Sequence, residues 1–264
     1  MILARSVCFS LEKLGGTAAE WEDAAAYHDG DPAADVEPRC VVVDGATEAY
    51  DAIRWVEHLV SSFVADSGPD LTPDGLRAWF EQVQRLWVAG APARFATVIE
   101  EHKFHTQGSF ATFLGCRLAG LDGPGARWEA AALGDTVLFH VRAGRLLTHF
   151  PRIGVDDFGL SPDGIGTRPE LLGPMLEGLE LASGEVQAGD VLFVATDALA
   201  HWLLLETGRG EGALWAALTD IDHNAVFAAI VADHRAAGRM RNDDVTLLRV
   251  RLVTAEPGAL VMGL

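Results

Sequence analysis

The middle of the chain limits the possible folds most, because short apolar segments follow one another there with only tight turns between them. Residues 108–118, 127–133, 136–142 and 145–149 have the β-branched and apolar content of strands. Gly-Pro-Gly, Gly-Asp and Ala-Gly turns separate them. Turns this short connect neighbouring strands, so we expect these strands to pair antiparallel.

Helices and isolated strands flank this central region without βαβ alternation. Helical spacing of apolar residues predicts helices over 48–65, 198–207, 211–219 and 222–237. A further helix is predicted to start at Pro73, and after a break at Gly90-Ala-Pro92 another is predicted to end near His105. Further strands are predicted over 39–44, 191–195 and 245–253, and 151–180 is predicted to be a loop or flap with a short helix at most. The order predicts an α+β fold in which two antiparallel sheets pack as a central sandwich flanked by helices, four layers in the order α-β-β-α. One domain over 1–264 is the simplest organisation.

Net charge and composition limit which classes of binding partner and which cellular location we expect. A formal net charge of −18 argues against nucleic acid and anionic membranes, since both require a basic surface. No apolar stretch is long enough to span a bilayer. The three cysteines, Cys8, Cys40 and Cys116, show no CxxC spacing, which favours free thiols and a cytoplasmic location.

Three aspartates stand at the ends of predicted strands. Asp44 follows Val-Val-Val, Asp197 follows Val-Ala-Thr, and Asp243 lies just before the last strand. Carboxylates gathered at one edge of a sheet repel one another unless a cation lies between them, and oxygen ligands suit Mg²⁺ or Mn²⁺. The alternative is ordinary turn chemistry, in which Asp-Gly and Asn-Asp are common.

Five segments, in order along the chain, resemble the metal-dependent protein phosphatases of type 2C. The amino-acid sequence at 44–48 and 196–200 resembles that of a bacterial subgroup of this family. The segments are Trp21-Glu-Asp-Ala24, Val41-Val-Val-Asp-Gly45, Gly108-Ser-Phe-Ala111, Gly134-Asp135, and Asp190 to Asp197 together with Asn242 to Leu248.

The resemblance implies a role for each matching residue. Asp44 would bridge two metal ions, with the carbonyl of Gly45 as a ligand to one of them. Asp23 would act beside the first ion, largely through water. Asp197 and Asp243 would hold the other ion. Asp135 matches the family position linked to a weaker third ion, and a plain hairpin aspartate is the alternative.

The implied activity is hydrolysis of phosphoserine or phosphothreonine in proteins, with Asp44 and Asp23 as catalytic residues. A hydroxide that bridges two Mn²⁺ or Mg²⁺ ions would attack phosphorus in line. Ions about 3.5–4 Å apart lower the pKa of that water and neutralise the phosphoryl oxygens. The expected partner is a phosphorylated protein, and the sequence gives no oligomeric state.

The sequence departs from the family pattern in three places. Residues 16–20 carry no basic side chain where many members have a phosphate-binding arginine, and Lys13 and Arg39 are candidate substitutes. Ala46 stands where eukaryotic members have a general-acid histidine. His201 follows Asp197 where the family often has a second aspartate, and it is either structural or near the metal site.

These departures leave two other functions open. One is a phosphatase for small phosphoesters. The other is a pseudophosphatase, a metal-binding regulatory or partner-binding module, which the missing arginine and histidine favour. Retention of the metal-binding aspartates counts against it, because buried carboxylates without a cation are costly.

Overall fold

The computed structural model describes residues 1–17, 20–46, 49–65, 68–159, 162–209 and 212–255. Strands of these residues form two five-stranded sheets in which every pair of neighbours is antiparallel, and a small two-stranded sheet. Helices cover both outer faces. The predicted α+β sandwich is confirmed.

The first sheet has the order β1-β12-β11-β7-β8. Its strands are β1 (Ile2–Leu11), β7 (Val137–Arg142), β8 (Arg145–Phe150), β11 (Asp190–Ala195) and β12 (Val245–Thr254). The second sheet has the order β10-β6-β5-β3-β2. Its strands are β2 (Asp23–His28), β3 (Arg39–Asp44), β5 (Phe113–Ala119), β6 (Arg127–Leu133) and β10 (Glu180–Glu185). The small sheet pairs β4 (Phe110–Ala111) with β9 (Ile165–Gly166).

Seven α-helices lie within the described residues. They are α1 (Ala52–Val64), α2 (Pro73–Ala89), α3 (Val98–Thr106), α4 (Leu172–Met175), α5 (Asp197–Gly208), α6 (Gly212–Thr219) and α7 (Asn224–Ala236). Thr72 caps α2 by accepting a hydrogen bond from the Gly75 amide, with proline at the first helical position as the sequence indicates. The last three helices agree with their predicted ranges to within two residues. The predicted start of the first helix, at Glu48, lies outside the described residues.

Strand β11 shows why the sheets stack in layers. Its side chains alternate, so Phe193 packs against the core under α5, α6 and α7, whereas Leu192 and Val194 pack between the two sheets. All of its residues are buried, which explains why the strand reads as continuous apolar sequence. A third core, centred on Trp55 and Phe63, lies between the second sheet and the helices α1 and α2.

Four strands were not predicted from the sequence. β9 lies in the segment 151–180, which was predicted to be a loop or flap with a short helix at most; the helix is α4, and β9 forms because it pairs with β4. β1 runs along one edge of the first sheet and pairs with β12 over its whole length. β2 contains three alanines, which have low strand propensity, and pairing with β3 overrides that preference. β10 is an edge strand with a polar, glycine-containing sequence and a mostly exposed surface. In each case the partner strand supplies the order that the local sequence does not signal.

The three cysteines are free, as predicted. Within the described ranges no helix is long and apolar enough to cross a membrane. The assignment of 1–264 to one domain and the cytoplasmic location stay predictions.

Candidate metal centre

Asp23 and Asp44 lie opposite each other at one edge of the second sheet. Asp23 is the first residue of β2 and Asp44 the last of β3, and the antiparallel register pairs them directly. Directly paired residues have Cβ atoms about 5 Å apart, a position in which like charges destabilise the sheet. Asp23 is only 4% exposed. The pair is therefore a costly arrangement for an ordinary sheet.

The first sheet brings Asp197 and Asp243 to the same end of the sandwich. Thr196 follows the last residue of β11 and holds the N-cap position of α5, so Asp197 begins that helix, whereas Asp243 lies two residues before β12. The end of β11 and the start of β12 are neighbours, since Ala195 pairs with Leu247.

Two threonines of the first sheet connect it to Asp23 of the second. The hydroxyl of Thr246 donates to Oδ2 of Asp23 at 2.8 Å, and the hydroxyl of Thr196 donates to the same oxygen at 3.1 Å. Both threonines are buried. They fix Asp23 at the interface between the sheets, so the four aspartates face one space.

Burial first, and mutual repulsion second, raise the pKa values of these carboxyl groups. Burial, opposed by the threonine hydrogen bonds and reinforced by the charges of Asp244 and Asp197, raises the pKa of Asp23 to about 7. The pKa of Asp44 is raised well above its usual value by burial, then by Asp23 and the other aspartates. Burial and the charge of Asp243 likewise raise the pKa of Asp197. Such a cluster of raised carboxyl pKa values is typical of functional sites.

Asp135 lies on the turn between β6 and β7 and faces the same cluster. The preceding Gly134 has φ +100°, and a Cβ there would lie 2.3 Å from the carbonyl oxygen of Asp163, so only glycine fits. Asp135 is 3% exposed, and its Oδ1 has no hydrogen-bond partner within the described part of the chain. Burial and the charge of Asp197 raise the pKa of Asp135 to about 7. A buried oxygen of this kind is what a cation would satisfy.

Gly45 lets the chain pass close to Asp23. Its amide donates to the carbonyl of Glu22 at 3.1 Å, and a Cβ at Gly45 would lie 2.7 Å from that oxygen. The position therefore excludes other residues. The use of the Gly45 carbonyl as a metal ligand stays a prediction.

The donor set fits a hard divalent cation, since it consists of neighbouring carboxylates, two of them buried and two half-buried, that repel one another. In the described residues, however, no three His, Cys, Asp or Glu side chains form a group that could hold a metal ion. The geometry is that of converging carboxylates rather than a formed coordination shell. Metal binding by Asp23, Asp44, Asp135, Asp197 and Asp243 stays a prediction.

The candidate phosphate-binding residues from the sequence lie elsewhere. Arg39 begins β3, five residues from Asp44, which is about 16 Å along a strand. Its Nη1 donates to the carbonyl of Pro69 at 2.8 Å, beside Arg117 and Asp70. The backbone amide of Lys13 donates to Asp244, and no contact joins its ammonium to the described site residues.

His201 lies on α5 and packs edge-on against Phe158. Its Nδ1 is buried without a hydrogen-bond partner among the described residues, and burial lowers its pKa, with a further contribution from Arg241. It makes no contact with the described aspartates that would make it a ligand. The sequence reading also missed Thr196 and Thr246, although alternation along β12 places Thr246 on the same face as Leu248, between the sheets.

Comparison with known proteins shows which solved structures share this fold. No family model matches the chain, and no curated protein sequence matches it. Three solved structures match 95–96% of the chain and all of their own chains. They are the catalytic domain of the serine/threonine phosphatase PstP in complex with two manganese ions (17% identity, TM-score 0.61), PppA of Pseudomonas aeruginosa, a regulatory component of the type VI secretion system (21%, 0.54), and the S. agalactiae serine/threonine phosphatase (16%, 0.55). The chain therefore has the fold of the bacterial metal-dependent serine/threonine protein phosphatases.

Proposed function

We propose that this protein is a metal-dependent phosphatase that hydrolyses phosphoserine or phosphothreonine in proteins. One observation carries the proposal: five aspartates from both sheets and a tight turn converge at one end of the sandwich. Asp23 and Asp135 are buried, and the one cation paired with the cluster among the described ion pairs is Arg241, 3.9 Å from Asp197. Nothing in ordinary sheet packing requires this, and a protein retains such a cost where the site does chemistry. The fold shared with bacterial phosphatases supports the same activity.

The aspartates of the cluster would have two different roles. Asp44, Asp197, Asp243 and Asp135 would hold Mn²⁺ or Mg²⁺ directly, and Asp23 would position water. Two such ions supply a water of lowered pKa and positive charge for the phosphoryl oxygens.

Asp23 and its two threonines would orient the attacking water. The hydroxyls of Thr196 and Thr246 donate to one oxygen of Asp23, which leaves its other oxygen to accept a proton or a hydrogen bond from water. The same hydrogen bonds favour the ionised carboxylate, the form that can accept. Asp23 would thus act as a positioning group and proton acceptor.

The presence of alanine at position 46 affects how the leaving group would be protonated. No acidic side chain stands at this position to protonate a departing alkoxide. General acid catalysis is worth about 10²–10⁴-fold, so hydrolysis of alkyl phosphates should depend on water as the proton donor. Aryl phosphates, whose leaving groups need little protonation, should react faster than phosphoserine peptides.

The test is hydrolysis of an aryl phosphate with and without Mn²⁺. Wild-type activity should require the metal, and Asp44→Ala should lower it by at least about 10²-fold, the cost of losing one electrostatic group in such a site. Asp122→Ala, on an exposed loop, is the matched control and should change nothing. Activity without divalent metal, or full activity in Asp44→Ala, would contradict the proposal.

A pseudophosphatase is the second candidate, favoured by Ala46 and by the lack of a basic residue over 16–20. It predicts metal binding at the aspartates without turnover of either an aryl phosphate or a phosphothreonine peptide. Turnover of the aryl phosphate alone would instead indicate a small-molecule phosphatase.

A further inference from the structure

Arg241 lies at the rim of the aspartate cluster, on the segment between α7 and β12. Its Nη1 is 3.9 Å from Oδ2 of Asp197, and its side chain is 43% exposed. Its charge also counteracts the raised pKa values of Asp197 and Asp135. A guanidinium therefore stands beside the carboxylates, facing solvent.

Most of the hydrogen-bonding capacity of Arg241 is unused. A guanidinium has five N–H donors. Within the described part of the chain, Nη2 donates to the carbonyl of Phe158 at 3.3 Å, and the contact with Asp197 is longer than a hydrogen bond. An exposed ion pair at that distance contributes little to stability. Folding alone gives no strong reason for an arginine here.

The backbone around Arg241 is held firmly. Met240 is buried in the core under the helices. The side-chain oxygen of Asn242 accepts from the amide of Leu14 at 2.7 Å, and its nitrogen donates to the carbonyl of Leu14 at 3.2 Å. The neighbours of Arg241 thus fix its Cα, which lowers the entropy lost when the guanidinium binds a ligand.

The other arginine near the cluster is committed elsewhere. Arg235 is 7% exposed, and its Nη1 and Nη2 donate to the carbonyls of Glu12 and Asp243. It supports the backbone of the site from inside. Arg241 differs from it in being exposed, with donors to spare.

We propose that Arg241 binds the non-bridging oxygens of the substrate phosphate, in place of the basic residue missing from 16–20. This assignment rests on the proposed phosphatase function. The planar fork of a guanidinium matches two phosphate oxygens, and its bonds to a dianion are charge-assisted. The phosphate would approach from the side of Phe158 and α5.

Calorimetric titration of inorganic phosphate into the Mg²⁺-loaded protein tests the assignment. Arg241→Gln should weaken phosphate binding by about 10- to 100-fold, the range expected for charged hydrogen bonds, and Arg241→Lys should fall between that variant and the wild type. Arg239→Gln is the matched control: it lies two residues earlier and is exposed, with its Nε bound to His234. It should bind phosphate as the wild type does.

Three results would overturn the assignment. Unchanged phosphate affinity in Arg241→Gln is the first, and a wild type that binds no phosphate is the second. The third is a loss of phosphate affinity matched by an equal loss of Mg²⁺ affinity or of thermal stability, since that pattern indicates a structural role.

Aryl phosphate kinetics on the same samples separate this assignment from the proposed function. With an active wild type, Arg241→Gln should raise KM more than it lowers kcat, because a group that grips phosphate acts in the ground state too. An active wild type with unchanged KM in the variant removes Arg241 alone. An inactive wild type that binds phosphate through Arg241 removes the phosphatase function and leaves an anion site.

Discussion

An aspartate stands at each end of strand β11, and the protein surrounds the two in opposite ways. Asp190, at its start, is 1% exposed and accepts hydrogen bonds from Nε and Nη2 of Arg142 at 2.7 and 2.8 Å. It also accepts from the Gln187 amide and contacts Nε2 of His140, each at 2.9 Å. Burial alone would raise the pKa of Asp190, but these hydrogen bonds outweigh it and lower the pKa.

Asp197, two residues beyond the other end, is near further carboxylates, and its pKa is raised by burial and by Asp243. The fold can thus neutralise a buried aspartate completely with its own arginine, histidine and amide groups. It does so at one end of the strand. At the other end it leaves the carboxylates of the aspartate cluster without comparable partners. The difference supports the proposal that the second end is the one that binds a cation.

Matched substitutions should separate the two ends most strongly. Asp190→Asn breaks a buried ion pair and should cost about 3 kcal/mol of unfolding free energy, the low end of the usual range because Arg142 is 35% exposed. Asp44→Asn removes a repelling charge and should stabilise the metal-free protein. Urea unfolding with a chelator at pH 8 measures both. Equal destabilisation by the two substitutions would abolish the contrast.

A smaller effect should appear in the pH dependence of stability without metal. Asp23 and Asp135 have folded pKa values of about 7 against 3.8 for the model carboxyl, so the folded state binds more protons between these values. Their contribution to stability should therefore fall as pH rises from about 4 to 7. Asp190, with a lowered pKa, contributes stability that is lost only as pH falls below about 4.

Urea midpoints of the metal-free protein at pH 5 and pH 8 measure this dependence. The midpoint should be higher at pH 5, and Asp135→Asn should reduce the difference while Asp122→Asn leaves it unchanged. A difference that is the same in Asp135→Asn as in the wild type would show that the cluster does not cause it.

The sequence predicts the aspartate end of the sandwich better than the Asp190 end. Asp44 and Asp197 follow apolar runs directly, so their position at strand ends is a local signal. Asp190 also begins a strand, yet its partners Arg142 and His140 are 48 and 50 residues away in sequence. Only the pairing of β7 with β11 brings them together.

The same reasoning explains Arg241 and the edge strands. Arg241 reaches Phe158 across 83 residues, and β2 depends on pairing with β3 rather than on its own alanines. Gly134, by contrast, precedes Asp135 in a turn that the sequence signals directly, and its φ of +100° confirms the turn. A single sequence predicts local features such as turns and strand ends, but it does not predict which distant residues pair.

Manganese stoichiometry tests the central claim most directly. Equilibrium dialysis followed by metal analysis should find two Mn²⁺ ions per wild-type chain, the number of a two-metal hydrolytic site. Asp197→Asn should lose at least one of them, whereas Asp190→Asn, at the other end of the same strand, should keep both. A wild type that binds no Mn²⁺, or an Asp197→Asn variant that binds as many ions as Asp190→Asn, would contradict the account.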